Sequence, residues 1–241
     1  MRTSNPALSD RRFRGLDVAN YTQMTLQGTI NRTGFLSILL VVVAGWAWSI
    51  TPTDGFPGFV IPALLVGFVI AIVTIFNPKI SMFTSPVYAI LEGVVLGSVS
   101  AVFNAKYPGI VSQALMLTFG ILITMLLAYK ARLIRATQGF RAGVIAATGA
   151  ICLVYIADIL MRAIFHIHVP YIHEGGWIGV GISIGIVVVA SLNLILDFDT
   201  IERSISRGAP KYMEWYCAFG ILVTMVWLYL EVLRLLAKLK K

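Results

Sequence analysis

Residues 192–207 read LNLILDFDTIERSISR. An apolar run that begins near Trp177 takes in two aspartates, Asp197 and Asp199, before any turn signal releases it. Glu202, Arg203 and Arg207 follow at once, and the turn comes only at Gly208-Ala209-Pro210. A carboxylate inside a lipid-length apolar segment is costly, so it faces protein or water and marks an ion or proton route. The stretch therefore reads as the end of a membrane helix that carries functional acids.

The whole chain supports that setting. Of 241 residues, 58% are hydrophobic and 12% charged, and the mean hydropathy is +0.86. Soluble domains hold about 45–50% apolar and about 25% charged residues. The expected class is all-α, a polytopic membrane protein. A β-barrel would show roughly ten-residue alternating segments, and long apolar runs stand in their place. The formal charge of +8 would suggest nucleic acid in a soluble protein. Here the basic residues lie between apolar segments, where they set orientation and meet anionic head groups, so the expected partner is the bilayer. Cys152 and Cys217 both fall in apolar segments, and no disulfide framework is expected.

The chain divides into a tail over residues 1–30 and a seven-helix membrane domain over 31–241. Spans are expected near 34–51, 58–77, 83–103, 108–129, 142–165, 176–202 and 213–237, each close to the ~20 residues that ~30 Å of hydrocarbon requires. Breakers separate them: Thr51 to Gly55, Asn77-Pro78-Lys79, Tyr107-Pro108-Gly109, the basic link Lys130 to Arg141, the His-bearing loop 166–175, and Gly208-Ala209-Pro210. The first apolar run starts near Phe35, too late for a cleaved signal peptide, so it should act as an uncleaved anchor. With the amino terminus inside, most Lys and Arg fall on the cytoplasmic side, a clear positive-inside bias. Seven crossings leave Arg234, Lys238, Lys240 and Lys241 outside, against that bias. Gly93 and Gly97 on the third span, and Gly181 and Gly185 on the sixth, are spaced for close helix packing in lipid.

The intramembrane acids fall into two layers. At ~1.5 Å of rise per residue, Asp199 lies about 14 Å from the Gly208 turn. Glu92 stands at a similar depth on the third span. Asp197 is about 3 Å deeper than Asp199 and roughly 200° round the helix. Glu92, Asp197 and Asp199 form the candidate ion- and proton-sensing layer, with no Lys or Arg at their depth on the other spans. Arg203, one turn below Asp199, is the nearest base. Two carboxylates brought close in a dry site share a proton and titrate together. Carboxylate oxygens also suit calcium, making Asp199 and Glu92 possible ligands. The bland reading is that these acids only bond to one another or to backbone.

Asp158 and Glu231 belong to the second layer, each with a base in reach: Arg162 four residues on, and Arg234 three residues on. These pairs read as structural. The histidines at 166, 168 and 173 lack the cysteines and spacing of a structural zinc site and read as rim residues. No nucleophile–base set, phosphate loop or resident cofactor is expected, which argues against an enzyme.

Leu91-Glu92-Gly93-Val94-Val95-Leu96-Gly97 and Leu196-Asp197-Phe198-Asp199-Thr200-Ile201-Glu202 resemble the Glu-Gly and Phe-Asp-Thr motifs of the transmembrane Bax-inhibitor-motif family. Met24 to Asn31 and Gly208 to Tyr216 are similar to a bacterial branch of it, a resemblance that implies a bacterial inner membrane. The resemblance implies six helices around a central carboxy-terminal helix. It also implies a pH-sensitive calcium leak controlled by aspartates on the sixth and seventh helices. By motif the sixth-helix aspartate corresponds to Asp199. The family's second aspartate sits in a Leu-Tyr-Leu-Asp context that Leu228-Tyr229-Leu230-Glu231 matches in wording. Glu231, however, comes 32 residues after Asp199, roughly 16 Å further across the membrane. The position at family-like spacing is near Thr224, which cannot ionise. Asp199 is then expected to be served by Glu92 or Asp197.

Two functions compete. One is a pH-sensitive cation (calcium) leak channel or exchanger gated by intramembrane carboxylates. The other is a non-conducting regulator of a membrane partner, such as a membrane-anchored protease, docking through the tail 1–30 and the link Lys130 to Arg141. The oligomeric state has no signature in the residues.

Overall fold

The computed structural model describes residues 22–52, 55–165 and 176–240. The tail before residue 22 and the histidine loop 166–175 lie outside them. Seven helices follow in order: α1 Leu26–Ile50, α2 Val60–Phe76, α3 Ser81–Lys106, α4 Ile110–Lys130, α5 Gln138–Phe165, α6 Trp177–Ser206 and α7 Met213–Leu239. A single 3₁₀ turn, Pro78–Ile80, leads into α3. No strand is present among the described residues. Six of the segments are long and apolar enough to cross a membrane. The seventh, α2, has 17 apolar residues, about 26 Å of helix, at the short end of what a bilayer needs.

The breakers act where chain chemistry requires. Pro78 cannot extend α2, Gly109 takes φ 78° to start α4, and Gly208 takes φ 66° to end α6. Two helices begin earlier than apolar content implies. At α1, Thr25 is the N-cap and its Oγ1 accepts from the Gly28 N–H at 2.9 Å, so the polar stretch from Leu26 is helical. For α5 the first helical residue is Gln138, which brings Arg141 onto the helix.

The last helix is the hub. Nearly every residue along one broad face of α7 is buried, including Ala218, Leu222, Leu228, Val232 and Leu233. It packs against α1, α3, α4 and α6, while α2 lies on α3 and α5 on α6. The outward faces of α1, α2 and α5 carry exposed Ile38, Phe68 and Leu153, as lipid-facing surfaces should.

α1 runs along α3 at very short range. A Cβ built on Gly93 would stand 2.8 Å from the Leu40 carbonyl oxygen, and one on Gly97 2.2 Å from that of Ala44. These glycines therefore let two backbones touch. Gly181 and Gly185 do not: nothing lies within 4 Å of a Cβ at either. Their spacing promised a packing seam, but their face of α6 turns outward.

Candidate functional site

Asp197 and Asp199 look into different compartments, as their angular separation on α6 requires. Asp199 is gripped from two sides at the basic end of the bundle. Arg141 of α5 pairs with its Oδ2, and Arg203, one turn along α6, approaches the same oxygen at 3.3 Å. Beside this pair the Tyr129 hydroxyl of α4 donates to Glu202, and its ring leans on Phe198. One ionic knot thus ties the ends of α4, α5 and α6. The expectation that no base from another span reaches Asp199 is corrected here. With α5 starting at Gln138, Arg141 lies inside the helix and faces α6.

Asp197 points the other way, into a cavity of about 330 Å³ between α2, α6 and α7. Ala71 and Ile75 of α2, and Cys217, Gly220 and Thr224 of α7, line it. The Thr224 hydroxyl sits beside the Asp197 carboxylate, while Asp197 Oδ2 is buried without a hydrogen-bond partner. A buried polar atom of that kind calls for an explanation. Thr224 is the position picked out by family-like spacing, and its aspartate across the interface is Asp197 rather than Asp199.

Glu92 does not meet Asp199. Its helix α3 and helix α6 are kept apart by α7, and no ion pair or hydrogen bond among the described residues joins Glu92 to either aspartate. Instead Glu92 reaches toward α2, where its Oε2 lies 3.7 Å from the place a Cβ would take on Gly67. Gly67 and Ala71 are one turn apart on α2, about 6 Å. The same α2 stripe therefore covers Glu92 at one level and the Asp197 cavity at the next. As placed, Asp199 and Glu92 are not two ligands of one calcium ion, and no three His, Cys, Asp or Glu side chains among the described residues gather as a metal-binding set.

The second layer is paired. Arg162 bonds Asp158 at 2.9 Å and Arg234 bonds Glu231 at 3.0 Å. Glu231, 1% exposed, also accepts from the Tyr155 hydroxyl of α5 at 2.7 Å and from Trp227 Nε1 at 3.3 Å. Two further charges are buried among the described residues, Lys238 and Glu214. Lys238 turns back into the bundle, where its Nζ donates to the Gly179 carbonyl and to Ser183 Oγ at 2.9 and 2.8 Å.

At the basic end a clamp joins first helix to last. Glu214, 1% exposed, accepts from the Thr25 N–H and hydroxyl, both at 3.0 Å, and pairs with Arg32 at 3.1 Å. Alongside, the Met24 N–H donates to Ala209 and the Lys211 N–H to Thr22. The two stretches Met24 to Asn31 and Gly208 to Tyr216 are therefore the two halves of one contact.

Comparison with protein families decides the wider question, since a family model described as Bax inhibitor 1 like matches residues 5–241. The chain belongs to the Bax inhibitor 1 like family. Comparison with curated proteins finds no match. The chain's seven described helices, four of them packed directly on α7, agree with the all-α membrane architecture with a central last helix expected from the motifs.

Proposed function

We propose that this Bax inhibitor 1 like protein is a pH-sensitive cation leak, with calcium as the cation carried, regulated at Asp197. The observation that carries the reading is the Asp197 carboxylate, one oxygen unsatisfied, in a cavity walled by the short helix α2. Ionised, it draws water and a cation into that cavity; protonated, it is neutral and offers its O–H to its surroundings, and the attraction ends. α2 packs chiefly on α3, so it is the wall most easily displaced. Asp199 has a different part. Its pairing with Arg141 and Arg203 holds α5 and α6 together next to that cavity. The basic end is placed at the cytoplasmic side of an inner membrane, in keeping with its arginines and lysines.

The test is calcium flux against pH with the full chain in dye-loaded liposomes. Wild type should leak faster as pH rises and Asp197 loses its proton. Asp197→Asn should stay at the low-pH rate throughout, because asparagine mimics the neutral acid. An Asp197→Asn profile that still follows wild type would sink the assignment. Asp199→Asn should do something else, raising leak at every pH by freeing Arg141; a flattened profile there would transfer the sensing role to Asp199.

The alternative, a non-conducting regulator of a membrane protease or similar partner, draws on the clamp. Residues 22–25 are fixed to the turn before α7, so a partner holding the tail would pull directly on the α6–α7 connection. Absence of flux from pure protein, together with capture of a partner that needs residues 1–20, would favour it.

A further inference from the structure

α5 is amphipathic in the wrong sense for a helix buried in oil. Arg141, Thr148, Tyr155 and Arg162 recur every seven residues, and Asp158 joins them on the same face. Between them only Val144 and Ile151 are apolar on this stripe. The opposite face presents exposed Leu153, Leu160 and Ile164. The stripe faces protein over most of its length, since Arg141, Thr148 and Tyr155 find polar partners on α6 or α7, while Arg162 pairs within α5. Arg141 meets Asp199 of α6, Thr148 accepts from Asn193 of α6 at 2.8 Å, and Tyr155 bonds Glu231 of α7 at 2.7 Å. Arg162 holds Asp158 at 2.9 Å. From Arg141 to Arg162 is about 31 Å of helix, the thickness of the hydrocarbon. A ladder of polar rungs thus crosses the whole membrane.

The ladder is reachable from the lipid side. The side chains of Arg141, Arg162 and Arg234 keep 25%, 39% and 34% of their area exposed. α5 packs on α6 without small-residue contact: nothing lies within 4 Å of a Cβ on Gly139, Gly143 or Gly149. Polar bonds rather than close packing hold it in place.

We propose that this seam is a path for phospholipid head groups, and that the protein moves zwitterionic glycerophospholipids between leaflets along α5. A head group in hydrocarbon meets a large barrier because its charges lose water. Here a phosphate takes the place of a carboxylate on Arg141, Arg234 or Arg162, to which a guanidinium presents two parallel donors. The ammonium group of the same lipid takes the freed carboxylate of Asp199, Glu231 or Asp158. The exchange leaves net charge unchanged at each rung, and the acyl chains stay in the bilayer beside α5. Thr148 and Asn193 form the neutral rung at mid-depth, where the path is most easily closed.

The experiment uses the full chain in liposomes carrying a trace of short-chain fluorescent phosphatidylcholine in both leaflets, with albumin added outside to extract the label. Albumin stays outside and the readout follows lipid alone, so calcium leak does not register. Bare vesicles yield half the label, and wild type should yield nearly all of it. The double variant Thr148→Leu, Asn193→Leu should slow extraction of the second half about tenfold, Thr148→Ser should keep the wild-type rate, and Asp197→Asn should also scramble normally. Wild-type extraction that stops at half overturns the proposal, as does a double variant that elutes as a folded protein and scrambles at full speed. Scrambling slowed by Asp197→Asn would place the lipid path in the α2 cavity and overturn the α5 route.

Discussion

Gly97→Leu should leave little folded protein, and Gly97→Ala should lower unfolding free energy by about 2–3 kcal/mol, the upper part of the range for forcing extra atoms into a packed interior. The contact at fault is backbone, since the Ala44 carbonyl oxygen stands 2.2 Å from the new Cβ. No rotamer change can move it. α1 would have to draw away from α3, and with it the Thr51–Ser98 hydrogen bond of 3.0 Å. Gly181→Ala is the matched control, because it adds the same methyl group to a helix interior where nothing lies within 4 Å. It should be neutral or stabilising by up to about 1 kcal/mol from helix propensity. Thermal unfolding in detergent, read by loss of monodisperse protein, compares the two. Equal effects from both would mean that α1 and α3 do not touch as described.

Glu214→Ala should cost about 3 kcal/mol, in the range for breaking a buried ion pair from one side. Removal strands the Thr25 N–H, which has no other acceptor in the clamp, and leaves the Arg32 guanidinium without its carboxylate. Arg32 is 24% exposed, so solvent offsets part of the loss. Glu214→Gln should be milder, since the amide oxygen can still accept both Thr25 donors while the charge attraction to Arg32 is lost. Limited proteolysis at residues 22–30 would report the release: Glu214→Ala should expose the segment and Glu214→Gln should largely protect it. Equal protection in Glu214→Ala would refute the clamp.

Much of the architecture could be read from residue order because apolar runs and Pro/Gly breakers act locally. The opposed facing of Asp197 and Asp199 was likewise legible, as two residues on a helix must diverge by about 200°. What each faces was not. Arg141 lies 58 residues from Asp199 on a helix whose start depends on packing and not on hydropathy, so it fell outside the expected span. Thr224 drew attention only as a position that cannot ionise, and only the placement of α6 against α7 makes it a neighbour of Asp197. Gly93 with Gly97 and Gly181 with Gly185 share one spacing, yet only the first pair meets a helix. Spacing defines a face without saying what covers it. Arg162 and Arg234 were legible as bases for Asp158 and Glu231 because each pair lies within one turn of one helix.

The clamp at Glu214 also sets an order of assembly. Thr25 and Glu214 are 189 residues apart, so the first helix waits in the membrane through synthesis of nearly the whole chain before its carboxylate arrives. Loop closure over so long a separation is a late event. A ribosome that stalls before α7 leaves α1, α3, α4 and α6 without the helix they share. Such a fragment holds Arg32 and the Thr25 N–H without the carboxylate that receives both in the finished chain, so the seam between first and last helix is the final one to close.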